Sequence, residues 1–122
     1  MNITIIGNGS QSKRINNILK KKNYKNIKFF NPRYKKSDTI SNDKNLLNSD
    51  VIFICSPNHT HLNYIKSVNK KSFIFCEKPP VNNINDLKKL LKINLKKIYF
   101  NFNERFNLLT SLIKSNSIKS LY

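Results

Sequence analysis

The stretch that decides the fold we expect for this 122-residue chain is NITIIGNGSQS, residues 2–12. It begins with a short run of β-branched residues, stops at a Gly-x-Gly turn and continues into a helical pattern. The two glycines of the turn, Gly7 and Gly9, are the only glycines in the sequence. Because both glycines of the chain lie in one turn after a strand, we infer that this turn needs their conformational freedom.

A strand–turn–helix unit of this kind is typical of a site for a nucleotide pyrophosphate. The first glycine permits a tight turn, and the second removes a Cβ so that a phosphate can approach the backbone. The helix then offers unpaired N–H groups and the positive end of its dipole to the anion. The candidate binding residues are Gly7, Asn8, Gly9, Ser10 and Gln11. The third small position of the fingerprint holds Ser12, and a Gly-x-Gly pair can also be a simple turn, so the context has to decide.

The rest of the chain alternates between strand and helix patterns. The predicted strands cover residues 2–6, 27–30, 39–40, 50–55, 73–76 and 97–102. Helices are predicted over 10–22, after Asn42, after His61, after Asn83 as a cap, and around Leu108, Leu109, Leu112 and Ile113. This alternation predicts an α/β fold, a doubly wound and mostly parallel six-stranded Rossmann sheet with helices on both faces. We expect this one domain to cover residues 1–116.

Polar clusters follow the carboxyl ends of the predicted strands. They are residues 7–12, 31–33, 56–61, 77–79 and 103–105. Ligands of parallel sheets bind outside these strand ends, at the point where the strand order reverses. Five loops are therefore expected to converge on one edge of the sheet.

The end of the second strand bears on the choice of dinucleotide. In dinucleotide-binding folds an acidic residue at this place binds the adenine-ribose hydroxyls. Here the position holds Asn31, followed by Arg33, Lys35 and Lys36. The missing carboxylate and the added cations favour NADP over NAD, the alternative being that these cations are simply solvated.

Composition sets the outer bounds. No apolar run approaches the length of a membrane span and the chain opens directly on a strand, which predicts a soluble, cytoplasmic protein with no membrane partner. Cys55 and Cys76 each end an apolar run, so we expect two buried thiols rather than a disulfide or a zinc site. No metal site is predicted.

The net charge of +17 raises the possibility of a nucleic-acid partner. Only Arg14, Arg33 and Arg105 are arginines, whereas base readout and bidentate phosphate contacts favour arginine over lysine. The lysines are spread along helix faces and helix ends. We interpret them as a solvated surface and expect no specific nucleic-acid partner.

The order of these motifs resembles the N-terminal domain of the Gfo/Idh/MocA family, named after glucose-fructose oxidoreductase, inositol dehydrogenase and a rhizopine-catabolism protein. The resemblance covers nearly the whole chain. It is carried by Gly7-x-Gly9, by Ser56-Pro57-Asn58-His59-Thr60-His61, by Glu77-Lys78-Pro79 and by Asn103-Glu104-Arg105-Phe106. The resemblance implies NAD(P) as cofactor and hydride exchange with a hydroxyl-bearing carbon of a sugar, cyclitol or sugar nucleotide.

The resemblance also implies roles for single residues. Ser56, Pro57, Asn58 and His61 would line the nicotinamide-ribose side of the site, Glu77 would hold its loop and contact the cofactor, and Arg105 would face the substrate. Lys78 would contact cofactor and substrate and assist proton movement. A lysine beside a positive nicotinamide is disfavoured in its charged form, which suits proton transfer near neutral pH. The plain alternatives are that Lys78 is one more surface lysine and that His61 only caps a helix or bonds a neighbouring loop.

The family carries a second, larger domain that supplies the substrate pocket, and residues 117–122 resemble its first strand. We therefore expect a truncated frame, a split subunit or a stand-alone module, completed by a separately encoded domain or an oligomer partner, and no turnover by the chain alone. The alternative is a non-catalytic nucleotide-binding or partner-binding remnant. A third hypothesis is a lysine-driven polyanion binder.

Overall fold

The computed structural model describes residues 1–31, 48–68 and 70–101. Five strands lie in this part of the chain: β1 (Ile3–Ile6), β2 (Ile27–Phe30), β3 (Val51–Ile54), β4 (Phe73–Glu77) and β5 (Ile98–Asn101). Three helices accompany them: α1 (Ser10–Lys21), α2 (His61–Ser67), preceded by a 3₁₀ turn over Asn58–Thr60, and α3 (Ile84–Leu91). These elements confirm the α/β prediction to within two residues at most of the expected ends.

The five strands form one parallel sheet in the order β2-β1-β3-β4-β5. The chain leaves β1 for β2 on one side and later enters β3 on the other, so the strand order reverses at β1. This is the doubly wound topology that the alternating pattern predicts. The sixth predicted strand at 39–40, the short helix after Asn42 and the last helix fall outside the described residues.

Local signals in the sequence explain where the helices begin and end. α1 starts directly after the Gly-x-Gly turn and closes on Lys20 and Lys21, which suit the negative end of its dipole. α3 is capped by Asn83, whose side-chain oxygen accepts a 2.9 Å bond from the N–H of Asp86. The predicted cap is therefore confirmed.

The main core lies between one face of the sheet and the helices α2 and α3. Ile52, Ile54, Ile74 and Cys76 point to this face and are at most 3% exposed. They pack with side chains of the two helices and of β1 and β2, including Ile6, Phe30, Leu62, Ile65 and Leu90. Alternate residues of β3 and β4 thus line the sheet side of this core.

The opposite face of β4 is less covered than the face that lines the core. Phe73 and Phe75 remain 44% and 40% exposed. Among the described helices, α1 packs against β1, and a cavity lined by Ile15 of α1 and by Phe53 and Phe75 lies between this helix and β4. Among the described residues, β4 is therefore sealed on one face and half-open on the other.

Candidate functional site

The carboxyl ends of all five strands lie at one edge of the sheet because every neighbouring pair is parallel. Gly7, Asn31 and Lys78 directly follow β1, β2 and β4, and Ser56 is the second residue after β3. The structure therefore brings the loops after β1, β3 and β4, together with Asn31 after β2, to one edge of the sheet, whereas the predicted cluster 103–105 lies outside the described residues. Arg33 and Arg105 lie outside the described residues, and their expected roles stay predictions.

The loops after β1 and β3 meet at the place where the strand order reverses. The N–H of Gly7 donates to the carbonyl of Phe30 at 2.9 Å, and the N–H of Cys55 donates to the carbonyl of Ile6 at 2.9 Å. These bonds extend the sheet ladder one residue past the strands. The Gly-x-Gly turn consequently starts from a fixed point between β2 and β3.

The two glycines of the turn differ in backbone conformation and in the space around them. Gly7 is buried and has φ +104°, and a Cβ built on it would lie 2.7 Å from the carbonyl oxygen of Cys55. A Cβ on Gly9 would meet no atom within 4 Å. Gly7 is therefore required by the fold itself, whereas the space beside Gly9 is left open by the protein.

The open space at Gly9 lies at the N-terminus of α1. Gly9 is the N-cap of this twelve-residue helix, no side chain caps it and its first turn carries no acidic residue. The first N–H groups of a helix have no partner within the helix, and the dipole gives this end a positive partial charge. These features, together with the absent Cβ, fit a phosphate-bearing ligand and in particular the pyrophosphate of a dinucleotide.

Glu77 connects three elements of the site. Its Oε1 accepts a 2.8 Å hydrogen bond from Nε2 of Gln11, in the first turn of α1, and a 2.9 Å bond from Nδ2 of Asn101, at the end of β5. Asn101 is not among the site residues predicted from the sequence. The signal that could have found it is a polar residue ending an apolar strand in register with Glu77.

His61 is a buried brace between two loops. Its ring is 1% exposed, with Nδ1 2.9 Å from the carbonyl oxygen of Pro79 and Nε2 2.8 Å from that of Ser56. A neutral imidazole donates to only one carbonyl, whereas an imidazolium donates to both. The geometry favours the loop-bonding alternative, and a direct contact of His61 with a cofactor stays a prediction.

The loop before His61 is held by its own short-range bonds. Oγ of Ser56 bonds Oγ1 of Thr60 at 2.8 Å, and Oγ1 of Thr60 also donates to the carbonyl of Pro57 at 2.6 Å. The side chain of Asn58 accepts from the N–H of His59 at 3.1 Å. Pro57 is exposed and Asn58 half-buried, so these are the two predicted binding residues of the loop with surface toward solvent.

Comparison with known proteins supports this interpretation of the edge. The model of the family described as "Oxidoreductase family, NAD-binding Rossmann fold", GFO_IDH_MocA, matches residues 1–98. The chain belongs to the Gfo/Idh/MocA family. No curated protein and no solved structure is similar enough to the chain to count as a match. A nicotinamide dinucleotide is accordingly the cofactor of this oxidoreductase domain.

Lys78, the catalytic candidate of this Gfo/Idh/MocA domain, lies exposed at the edge directly after Glu77. Its peptide bond to Pro79 is cis, and the carbonyl of that proline is the one that faces the His61 ring. The backbone around Lys78 is therefore fixed on one side by the Glu77 bonds and on the other by His61. Its role in proton movement stays a prediction.

The two cysteines are free, as the sequence predicts. Burial raises the pKa of Cys55 to about 12, and the Glu77 charge adds to this rise. Burial, followed by interactions with Cys55 and Glu77, raises the pKa of Cys76 to about 12 as well. At neutral pH both thiols are protonated, so neither is a nucleophile of this site.

Two classes of site are missing from the described part of the chain. Residues 1–31, 48–68 and 70–101 contain no group of three His, Cys, Asp or Glu side chains that could hold a metal ion. Within the same ranges, no helix has the length and apolar character that a membrane crossing needs.

Proposed function

We propose that the chain is the cofactor-binding part of an oxidoreductase that acts on a hydroxyl-bearing carbon of a sugar, cyclitol or sugar nucleotide. Family membership supports the cofactor class. The single observation that carries the proposal is the open space beside Gly9, at the uncapped N-terminus of α1. If the turn served folding alone, it would need glycine at position 7, but a side chain at position 9 would fit without a clash.

In this proposal the backbone of Gly7, Asn8, Gly9, Ser10 and Gln11 receives the pyrophosphate, with the dipole of α1 favouring its negative charge. When bound, the nicotinamide group supplies or accepts the hydride. Ser56, Pro57 and Asn58 border the nicotinamide-ribose side, and His61 holds their loop against Pro79. Glu77 fixes Gln11 at the start of α1, so that the first turn of the helix is positioned before ligand arrives.

Lys78 holds or moves a proton at Nζ in the proposed reaction. Its exposure at the carboxyl edge and its backbone, braced on both sides, support this role. Arg105, in the segment after β5, is proposed to face the substrate. Because the proposed substrate pocket comes from a domain or an oligomer partner outside residues 1–122, we expect these residues by themselves to bind cofactor without turnover.

NADP is the dinucleotide that we favour. The residue directly after β2 is Asn31 rather than an acidic residue, so no carboxylate stands at this position to repel a 2′-phosphate. Arg33 and the neighbouring lysines add positive charge to the same segment of sequence.

The substitution Gly9→Asp tests the proposed site with a change that the fold tolerates. Asp is a favoured N-cap, and its Cβ would enter open space, so we expect the unfolding free energy to stay within about 1 kcal/mol of wild type. The carboxylate would fill and repel the phosphate position. Fluorescence titration with NADPH and NADH should therefore show binding weakened at least about 100-fold, equivalent to about 2.7 kcal/mol.

Asn94→Asp is the matched control. It adds the same charge before β5, at the opposite edge of the sheet, and retains the side-chain oxygen that accepts from the N–H of Lys96. We expect its NADPH affinity to stay within about threefold of wild type. Failure of well-folded wild-type chain to bind either dinucleotide would reject the proposal and support the non-catalytic remnant.

A further inference from the structure

A cavity of about 490 Å³ lies at the amino edge of the sheet, opposite to the edge that carries the proposed cofactor site. Its walls come from the places where the chain leaves α2 and α3 and enters β4 and β5. The volume falls within the range of about 300–1,000 Å³ that small-molecule pockets occupy. The cavity is therefore large enough for a small organic ligand.

One part of the cavity wall is aliphatic. The apolar side chains that line it either belong to the hydrophobic core or pack against it. They are Ile65, Val68, Ile74, Ile93 and Ile98. No aromatic side chain is among the described residues of the wall, so the cavity offers no ring on which a nucleobase could stack. This wall fits an aliphatic chain better than a nucleotide.

Another part of the wall is basic. The lysines that line it are Lys66 in the last turn of α2, Lys70 before β4, Lys92 at the end of α3 and Lys96 before β5. No Asp or Glu is among the described residues of the wall. In the sequence these lysines belong to a basic surface without an obvious centre, and the fold gathers them around one cavity.

A further lysine of the wall is not counted toward this charge. The Nζ atom of Lys97 donates to the carbonyl of Lys71 at 3.0 Å and lies 5.1 Å from the centre of the Phe73 ring. Phe73 is on the sheet face away from the core, because it alternates with the core residue Ile74. The ammonium of Lys97 is therefore directed away from the cavity.

The helix ends at this edge do not balance the remaining four lysines. The carboxyl ends of α2 and α3 each carry a partial charge of about −0.5, which is about −1 together. Asp86 of α3 interacts with Lys66, but its carboxylate is already paired with Lys89 at 3.0 Å. The cavity thus keeps a surplus of positive charge beside its aliphatic wall.

We propose that this cavity binds a small carboxylate or phosphate that carries an aliphatic chain. The chain contacts the isoleucines and the valine of the wall, and the lysines hold the anionic head group. A free inorganic anion would leave the aliphatic wall unused, and a nucleic acid would find no aromatic side chain in the wall for its bases. The site is separate from the proposed cofactor site and does not depend on it.

Calorimetric titration of the full chain with butanoate, hexanoate and octanoate tests the aliphatic part of the site. We expect the affinity to rise at least about twofold with each added methylene group, since a fully buried one contributes about fourfold. Inorganic phosphate, which has charge but no chain, should bind at least about tenfold more weakly than octanoate. No binding of octanoate, or an affinity that does not change with chain length, would overturn the proposal.

The double variant Lys70→Gln with Lys96→Gln tests the charged part and should weaken octanoate binding about fivefold. Lys13→Gln with Lys21→Gln is the matched control. It removes the same charge from exposed positions of α1, which does not line the cavity, and should leave the affinity within about twofold of wild type.

Circular dichroism checks that both double variants keep their fold. If one of them unfolds, the single variants Lys96→Gln and Lys13→Gln give the same comparison, with a loss of about twofold expected for the first alone. Equal octanoate affinity in the cavity variant and its control would contradict the proposal, because binding would then follow the overall charge of the protein.

Discussion

At the scale of single residues, the turn after β1 shows that the two glycines of one motif can be required for different reasons. Gly7 has a left-handed backbone and lies so close to β3 that no side chain fits. Gly9 has an extended backbone that any residue can adopt, and open space around it. The first glycine therefore belongs to folding and the second, in our proposal, to binding.

The substitution Gly7→Ala tests whether Gly7 is needed for folding. Its Cβ would lie 2.7 Å from the carbonyl oxygen of Cys55 at a φ of +104°. We expect a loss of about 2–4 kcal/mol in unfolding free energy, from backbone strain and displacement of β3. Urea denaturation measures it. Gly9→Ala is the control and should cost about 1 kcal/mol or less, and equal losses in the two variants would contradict this assignment.

The two thiols give a residue-scale prediction about pH. Because the folded pKa of each is raised to about 12, both stay protonated while an unfolded cysteine with a pKa near 8.5 ionises. At pH 8.5 we expect iodoacetamide to label the native protein at least about 100-fold more slowly than the urea-unfolded protein. Rapid labelling of Cys55 in the native state would show that its thiol is not held in this way.

At the scale of elements, one carboxylate joins a helix to two strands. Glu77 ends β4 and accepts bonds from Gln11 of α1 and Asn101 of β5, residues 66 and 24 positions away in the sequence. The pairing of β4 with β5 puts Asn101 beside it, and the packing of α1 puts Gln11 within reach. The sequence contains all three residues but not the register that joins them.

Substitutions at Glu77 should show how much this connection contributes. Glu77→Ala leaves two amide donors without their acceptor, and we expect a loss of about 1–3 kcal/mol in unfolding free energy. Glu77→Gln keeps an oxygen in place but loses the charge, so its loss should be smaller, about 0.5–1.5 kcal/mol. Urea denaturation of both variants checks the order. Stability of Glu77→Ala equal to wild type would show that the bonds do not hold α1 in place.

At the scale of the whole molecule, the net charge of +17 attracts anions over the whole surface, whereas the proposed cofactor site binds its ligand at one edge of the sheet. A basic surface binds any polyanion through released counterions, without reading its sequence. The described structure groups its open helix N-terminus, its two glycines and the loops after the strands at a single edge. The charge alone therefore does not determine what the protein binds.

Two measurements distinguish these contributions. We expect random-sequence DNA to bind weakly, with affinity falling by about 100-fold or more between 50 and 200 mM salt. Gly9→Asp should leave that DNA affinity within about twofold of wild type, since it changes one charge among many. Gel retardation across a salt series measures both quantities. Tight, sequence-selective binding that persists at high salt would favour a nucleic-acid function instead.

The sequence by itself determined the alternation of strands and helices, the turn with both glycines and the edge where the loops converge. These follow from local periodicity and from the rule that parallel strands end on the same side. The tertiary structure alone decided the different roles of Gly7 and Gly9, the bonds of Glu77, the two carbonyls at the His61 ring and the partial exposure of Phe73 and Phe75 on β4. Each of these depends on which residues lie side by side across strands and loops, and sequence spacing does not encode that register.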